Sequence, residues 1–523
     1  MSTFDMDAYY QQSTAASRYS NLETDREPYR TRAVNNAKLT IPMLFPDKDA
    51  TATTKYETPY QSIGARGVNN LGAKLMKGLF PPNEPFFRLS LGADAQKQAE
   101  SQGMQKDDVN IEKALGMLER DLFNFMMRNR YRITISEGVL QLIVAGNVLL
   151  FLPPAEGGIK MYRLSDYVVV RDGIGNWIEL VVKDKISYAA LPEDAKSLIK
   201  DTDVEPSTNY EIYTHVYLDG DVYRSYQELE GQTIKGSEQE YPKDKVPWLP
   251  LRLRKMDGES YGRSYVDEYY GDLKTLNSLS KACAEMAAVA SFILYLVNPA
   301  STLRIDKLKD AQSGEFYKGK EGDIVPFQLN KLNDMQIVIP QMQDLQNRLS
   351  YAFLMNSAVQ RNAERVTAEE IRYVANELED TVGNIYALLS LELQLPLVSC
   401  VMNQMMRQNL LPDMPLGSNG VEPKIVTGVE ALGRGYDLTK LETFAQICGQ
   451  LPTFAQRLND GAFMSMVATS VGLDESQIIK SDAQLQQEIQ QQQEMTLAQQ
   501  AAGPVANNLT APDAQQLEQQ QQQ

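Results

Sequence analysis

The chain has 523 residues, 43% of them hydrophobic and 23% charged, which exceeds what one core usually organises and predicts two or more globular domains rather than wholesale disorder. The formal net charge of −17 disfavours a surface that grips nucleic acid through its phosphates, while allowing an acidic passage through which DNA slides. Three scattered cysteines and a single histidine, His215, argue against a disulfide framework, a zinc ribbon and most histidine-based hydrolases, and suit assembly in a reducing cytoplasm.

The polar, acidic start has no signal-peptide pattern. The longest apolar run found, Ala287 to Val297, is shorter than the ~20 residues of a membrane span, so a soluble protein without membrane insertion is expected. Residues 1 to about 24 read as loosely held. Mixed charges from Arg26 to Lys38 predict a helix that stops before Pro42. Gly64–Leu79 predicts another, with Val68, Leu71, Leu75 and Leu79 on one face and Pro81-Pro82 as its stop. A strand follows over Phe86–Leu91, then a helix over Asp108–Asn129 with Ile111, Leu115, Leu118, Leu122 and Phe125 as its stripe. Arg128, Arg130 and Arg132 read as a solvated helix end favoured by the macrodipole rather than a nucleic-acid patch. Ile133–Val144 is helical, Gly146-Asn147 ends it, and Val148–Leu152 is a short buried strand.

Residues 159–253 are strand-rich, with hairpin-type turns at Asp172-Gly173, Gly175-Asn176 and Asp219-Gly220. His215, inside the Tyr213–Tyr217 strand, reads as a satisfied sheet residue. After Gly258 and Gly262 a helix carries Val266, Tyr269, Leu273, Leu276, Leu279, Cys283, Met286, Ala290 and Ile293, and Pro299 ends it. Residues 300 to about 335 form a compact lobe, and Met342 to Phe353 a second helix reaching Asn356. The polar segment Ser357–Arg365 then presents Gln360, Arg361, Asn362, Glu364 and Arg365. Thr367, three residues before Glu370, makes a capping box. Behind it Ile371, Val374, Leu378, Val382, Ile385 and Leu389 stripe a helix of about 28 residues, near 42 Å at ~1.5 Å per residue. Such a helix is a lever carrying a loop. Helix continues over Leu397–Asn409, Glu422–Val426 is a returning strand, and Asp437–Leu451 and Gly461–Val471 are further helices. The glutamine-heavy stretch beyond Ser481 cannot build an apolar core and is expected to be disordered or loosely helical.

No phosphate-binding G-x-x-x-x-G-K-[ST] loop, G-x-S-x-G elbow or H-E-x-x-H motif occurs, so neither a P-loop motor nor a familiar hydrolase is encoded. The carboxylate pairs Glu369-Glu370 and Glu379-Asp380 are neighbours on a helix and point different ways. A solvated face explains them better than a two-metal nuclease site. No catalytic residue, cofactor or metal ligand is predicted.

The blocks Asn356–Arg361 and Glu364–Val374, with Thr40–Pro46, Gly64–Leu71, Val144–Leu150, Asp257–Tyr265 and Gly428–Gly435 in order, resemble the portal (head-to-tail connector) proteins of short-tailed, podovirus-type (autographivirus-like) bacteriophages, over roughly residues 25–445. The resemblance implies an α+β, multi-domain subunit of a ring. Its parts would be an N-terminal arm and wing (1–257), a first stem helix (258–298), a clip lobe (299–338), a second stem helix (339–356), a tunnel loop (357–366), a long tunnel helix with wing return (367–425), a helical crown (426–480) and the glutamine-rich tail (481–523). It further implies a homo-oligomer of twelve copies at a capsid vertex in the virion, passing double-stranded DNA in during packaging and out during ejection. Its partners would be the terminase motor, scaffolding and major capsid proteins, a tail adaptor and internal core proteins. Gln360, Arg361, Asn362, Glu364 and Arg365 would face the channel. The alternatives are a tail or adaptor ring without a packaging role, or a DNA-processing nuclease.

Overall fold

The computed structural model describes residues 13–47, 50–51, 53–82, 85–92, 109–154, 157–199, 204–291, 294–301, most of 306–327, 332–355, 383, 385–410 and 421–425, with helical turns at 444–446 and 463–464. Two compact units divide the chain, Met1–Val366 with Tyr373–Gly428, and Thr367–Arg372 with Val429–Gln523. The Thr367 capping box, most of the two predicted helices after Asp437 and the glutamine-rich tail lie outside the described residues. The elements below belong to the first unit, a mixture of helix and sheet that agrees with the α+β expectation.

The first helix, α1 (Ala15–Leu39), opens well before Arg26, within the stretch expected to be loosely held. Polar contacts account for the early start. Thr14 accepts from Ser17 N at 3.2 Å, and the buried Glu228 carboxylate accepts from Ala15 N at 2.6 Å, so the orphan donors of the first turn are satisfied by oxygen. Further along, Arg26 is 1% exposed and donates to Tyr19 Oη and to the carbonyls of Ser165 and Tyr167. The buried stripe therefore passes from Ala15 and Tyr19 through Arg26 and Arg30 to Ala33 and Ala37, and the two arginines hide its period.

Helix α2 (Ile63–Leu79) buries Val68, Leu71, Leu75 and Leu79, as their spacing predicts. α3 (Val109–Arg128) buries Leu115, Leu118, Leu122 and Phe125. Arg130, at φ 58°, turns the chain into α4 (Tyr131–Ala145), and Gly146, at φ 76°, ends that helix. Arg128 and Arg130 are exposed and Arg132 half-buried, so the arginine cluster is a helix corner.

Strand β1 (Phe87–Leu91) pairs antiparallel with the returning strand Val421–Ile425. β2 (Asn147–Phe151) is central in a three-stranded sheet between β3 (Lys160–Arg163) and Trp248–Arg252. Strands β4 (Tyr167–Arg171), β5 (Trp177–Ser187), β6 (Asn209–Asp219) and β7 (Val222–Leu229) follow one another antiparallel in a six-stranded sheet, with Gln232–Thr233 and Gln239–Pro242 both pairing β7. One large core runs from Ala33 of α1 through α2, α4 and the three-stranded sheet to Met405.

Helix α5 (Val266–Ser291) buries Val266, Leu273 and Leu276. It stops short of Asn298, because Leu294–Val297 instead forms a strand paired with Ile324–Phe327. α6 (Leu332–Ala352) begins ahead of Met342 and ends before Asn356. The two helices pack together, with Cys283 Sγ 3.6 Å from Met342 Sδ and Arg348 bonded to Asp272 at 3.2 Å. Finally, a π-turn (Ser390–Gln394) runs into α7 (Leu395–Arg407). Ile385–Arg407 is longer and more apolar than the Ala287–Val297 run, and by length and composition alone would suffice to cross a membrane. Its Leu389, Leu393, Leu397, Val398 and Val401 sit in the protein core, and its buried Gln394 and Gln404 are hydrogen-bonded there. That is how a core helix behaves.

Candidate functional site

Two separated segments of the chain stand on α2. α6 ends at Ala352, and its last carbonyls are capped from the side. Tyr265 Oη donates to Ala352 O at 2.7 Å, Asn70 Nδ2 to Phe353 O and Leu354 O at 3.0 Å each, and Lys74 Nζ to Leu354 O at 2.8 Å. Leu354 adopts φ 56°, which turns the chain out of the helix just before the predicted loop. The Phe353 side chain lies against Gly67, where an added Cβ would come within 2.5 Å of its Cγ. Tyr265 and Tyr269 close around the same ring, each with its centroid 5.8 Å away.

The chain returns onto the same helix. Ile385 and Leu389 are buried, Tyr386 fills the notch left by Gly78, and Gln394 Nε2 donates to the otherwise orphaned carbonyl of Leu79 at 2.5 Å. From Asn70 to Gly78 is eight residues, ~12 Å along the helix axis. Gly64, Gly67, Asn70, Lys74 and Gly78 recur at gaps of three and four, a second face beside the apolar one. Within the block Gly64–Leu71 the glycines make room and Asn70 caps. The period of small and polar residues was the available signal.

The same close packing explains a further block. Asn147 donates to Gly262 O at 2.9 Å and accepts from Gly262 N at 2.7 Å. At Gly262 a Cβ would meet the carbonyls of Arg254 and Gly146 at 3.0 Å.

Charged groups concentrate at two places. Around the Asp172–Asn176 turn, Arg171 donates to the carbonyls of Gly175, Pro250 and Ser260, and Arg252, 2% exposed, pairs with Glu392 at 2.7 Å. Burial and the neighbouring Arg252 push the Arg171 guanidinium down to about 10, against the pull of Glu392. At the start of α1, Arg18 grips Glu179 through two bonds of 2.9 and 2.5 Å, and His215 reaches the same carboxylate at 2.9 Å. Burial would raise the Glu179 carboxyl, but the bonds from His215 and Arg18 outweigh it and hold the group below the ordinary carboxylate value. His215 is fully buried, with Tyr226 Oη on its other nitrogen at 2.9 Å, the satisfied sheet residue the sequence suggests.

The residues at the far end of α5 and α6 form a small lobe. Its two strands leave Tyr295, Leu296 and Val325 exposed, and Asp323 closes the turn before Ile324 by accepting from Lys320 N at 2.7 Å. Phe316 is fully exposed.

Gln360, Arg361, Asn362, Glu364 and Arg365, with the pairs Glu369-Glu370 and Glu379-Asp380, lie outside the described residues. Among the described residues no group of three or more His, Cys, Asp or Glu is placed to hold a metal ion.

The described residues form paired helices and antiparallel sheets, whose buried polar groups tie elements together. A family model for the bacteriophage head to tail connecting protein matches residues 12–479. The portal protein of Escherichia phage T7 is 44% identical over 490 residues, covering 91% of this chain and 90% of its own. That of Enterobacteria phage T3 is 44% identical over 484 residues, covering 90% and 89%. A solved structure described as the neck of an empty GTA particle computed with C6 symmetry aligns at 12% identity with a TM-score of 0.39, covering 79% of this chain and 90% of that one. The chain belongs to the head to tail connecting, or portal, protein family of podovirus-type bacteriophages.

Proposed function

We propose that copies of this chain, twelve by the family resemblance, stand in a ring at one capsid vertex of the virion, having assembled in the host cytoplasm. Double-stranded DNA passes through the ring during packaging and leaves through it during ejection. The observation that carries this reading is family membership across residues 12–479. In this reading the six-stranded sheet is the wing, α5 and α6 are the stem, and the lobe between them is the clip, which docks the terminase motor and later the tail adaptor. The wing and the residues after Val426 meet the capsid, scaffolding and internal core proteins. The chain breaks no bonds itself.

Twelve helices at ~10 Å spacing enclose a circle near 38 Å across at their axes. Subtracting about one helix diameter leaves a bore of roughly 28 Å, wide enough for a duplex of about 20 Å with water around it. The acidic balance of the chain keeps DNA from adhering, and the cations Arg361 and Arg365, beside Gln360, Asn362 and Glu364, make brief contacts to phosphate. Negative-stain microscopy of the purified protein tests the reading. Rings with a central hole are expected; a solitary protomer or a solid bundle would refute it.

A further inference from the structure

We infer that α5 and α6 carry the two halves of a contact between copies of this chain. The stripe Ile337, Asp344 and Tyr351 on α6 of one copy packs along Val289, Lys281 and Gly271 on α5 of the next. The inference rests on the ring reading above and names a surface that joins its members.

Both stripes face away from the hairpin's own seam. α5 and α6 meet through Cys283 and Met342 and through Asp272 and Arg348, and bury Leu273, Leu276, Leu345 and Leu349. Ile337, Asp344 and Tyr351 recur every seven residues, which puts them on one side of α6, and they are 73%, 72% and 76% exposed. On α5, Val289 is 50% exposed, the Lys281 side chain 53%, and Gly271 is exposed as well. Scattered exposed apolar residues are ordinary and need no partner. Their register here is what points to one.

The seam fixes that register. α6 runs antiparallel to α5, since Met342 meets Cys283 while Arg348, further along, meets Asp272. Asp344 lies two residues from Met342 and Lys281 two from Cys283, both toward the Arg348–Asp272 bond, so acid and base share a level. By the same step of ~1.5 Å per residue, Ile337 falls level with Val289 and Tyr351 with Gly271 to within about one helical turn. Copies related by rotation about an axis along the hairpin keep these levels. Setting the α6 stripe of one copy on the α5 stripe of the next therefore places apolar against apolar, carboxylate against ammonium, and a large ring against a residue with no side chain. The two faces differ, so the contact is head-to-tail and can close a ring rather than stop at a dimer.

Gly271 supports this independently. It sits inside α5, where glycine is costlier than alanine, yet a Cβ there would meet nothing within 4 Å in its own chain. Nothing inside one copy requires glycine at that position, whereas a neighbour's Tyr351 would.

Charge reversal in the full chain tests the contact. Within a copy Asp344 pairs with Arg348 and Lys281 with Glu285, not with each other, so any rescue between the two acts across copies. Asp344→Lys and Lys281→Asp are each expected to lower the ring fraction at least fivefold, read by size exclusion with light scattering, because like charges then face each other at every junction. The double reversal should return it to within twofold of wild type. Gly271→Leu should lower it by a similar factor while the helical circular-dichroism signal of the protomer stays unchanged. Wild-type ring levels in Gly271→Leu or in either single reversal, or no recovery in the double, would overturn the inference and leave the ring reading standing. A wild-type chain that forms no rings would overturn both.

Discussion

Asn70 and Leu354, far apart in sequence, are joined by a 3.0 Å hydrogen bond from the side-chain amide of one to the carbonyl of the other. The same amide reaches Phe353 O, and Lys74 reaches Leu354 O, so the end of α6 is fastened to α2 rather than left to water. Asn70→Ala is expected to cost about 1–2 kcal/mol, since Phe353 O loses a donor in a partly buried site. Asn70→Ala with Lys74→Ala should cost more than the sum of the two, because Leu354 O then loses both donors. Denaturant unfolding of the two singles and the double measures this directly.

Gly146 and Gly236 share the left-handed region, at φ 76° and 77°, but differ in surroundings. A Cβ on Gly146 would lie 2.6–2.9 Å from the backbone of Arg263 and Ser264, whereas nothing lies within 4 Å of one on Gly236. Gly236→Ala should therefore cost only the conformational term, about 1 kcal/mol, and Gly146→Ala roughly 2–4 kcal/mol, with lower soluble yield. Equal midpoints for the two variants would show that the Gly146 backbone can relax.

The Glu179 cluster predicts an acid response. Its carboxyl is depressed in the folded chain, so its contribution is full above the unfolded value of about 4.3 and is lost as pH falls below it. Glu179→Gln should lower stability by about 2–4 kcal/mol at neutral pH, through the loss of the Arg18 charge pair in a buried site. The gap between variant and wild type should narrow below about pH 4. Thermal midpoints of both proteins across this range check the sign.

These contacts also mark where sequence reading succeeds. Apolar stripes were legible wherever burial is apolar, as in Leu71, Leu75 and Leu79, or Leu118 and Leu122. The start of α1 was not, since Arg26 and Arg30 interrupt the stripe that begins with Ala15 and Tyr19, and its first turn is capped by the distant Glu228. Leu294–Val297 read as helix because a short apolar run fits either period, and its partner strand Ile324–Phe327 lies beyond a whole lobe. The π-turn leaves no local signature at all. The capping roles of Asn70 and Lys74 escape a local reading because the helix they cap is distant in sequence.

Cys400 and Cys283 should differ in reactivity. Burial, with the charge of Asp244, pushes the Cys400 thiol up to about 12, whereas Cys283 is only half-buried. At pH 8 a thiol reagent is expected to label Cys283 in the native protein and Cys400 only after unfolding. Peptide mapping of the labelled sites distinguishes them, and early labelling of Cys400 would indicate that α7 opens locally.

In the proposed channel, Arg361→Ala with Arg365→Ala should leave ring assembly unchanged while lowering the DNA retained by filled particles, by a margin that shifts with salt as contacts to phosphate would. Particles that package and hold DNA as the wild type does would assign Ser357–Arg365 a purely architectural part.

Because α6 leaves from Asn70 and Lys74 and the chain comes back at Gly78 and Leu79, a single helix fixes both points of departure and return. A shift or rotation of α2 therefore carries both points together.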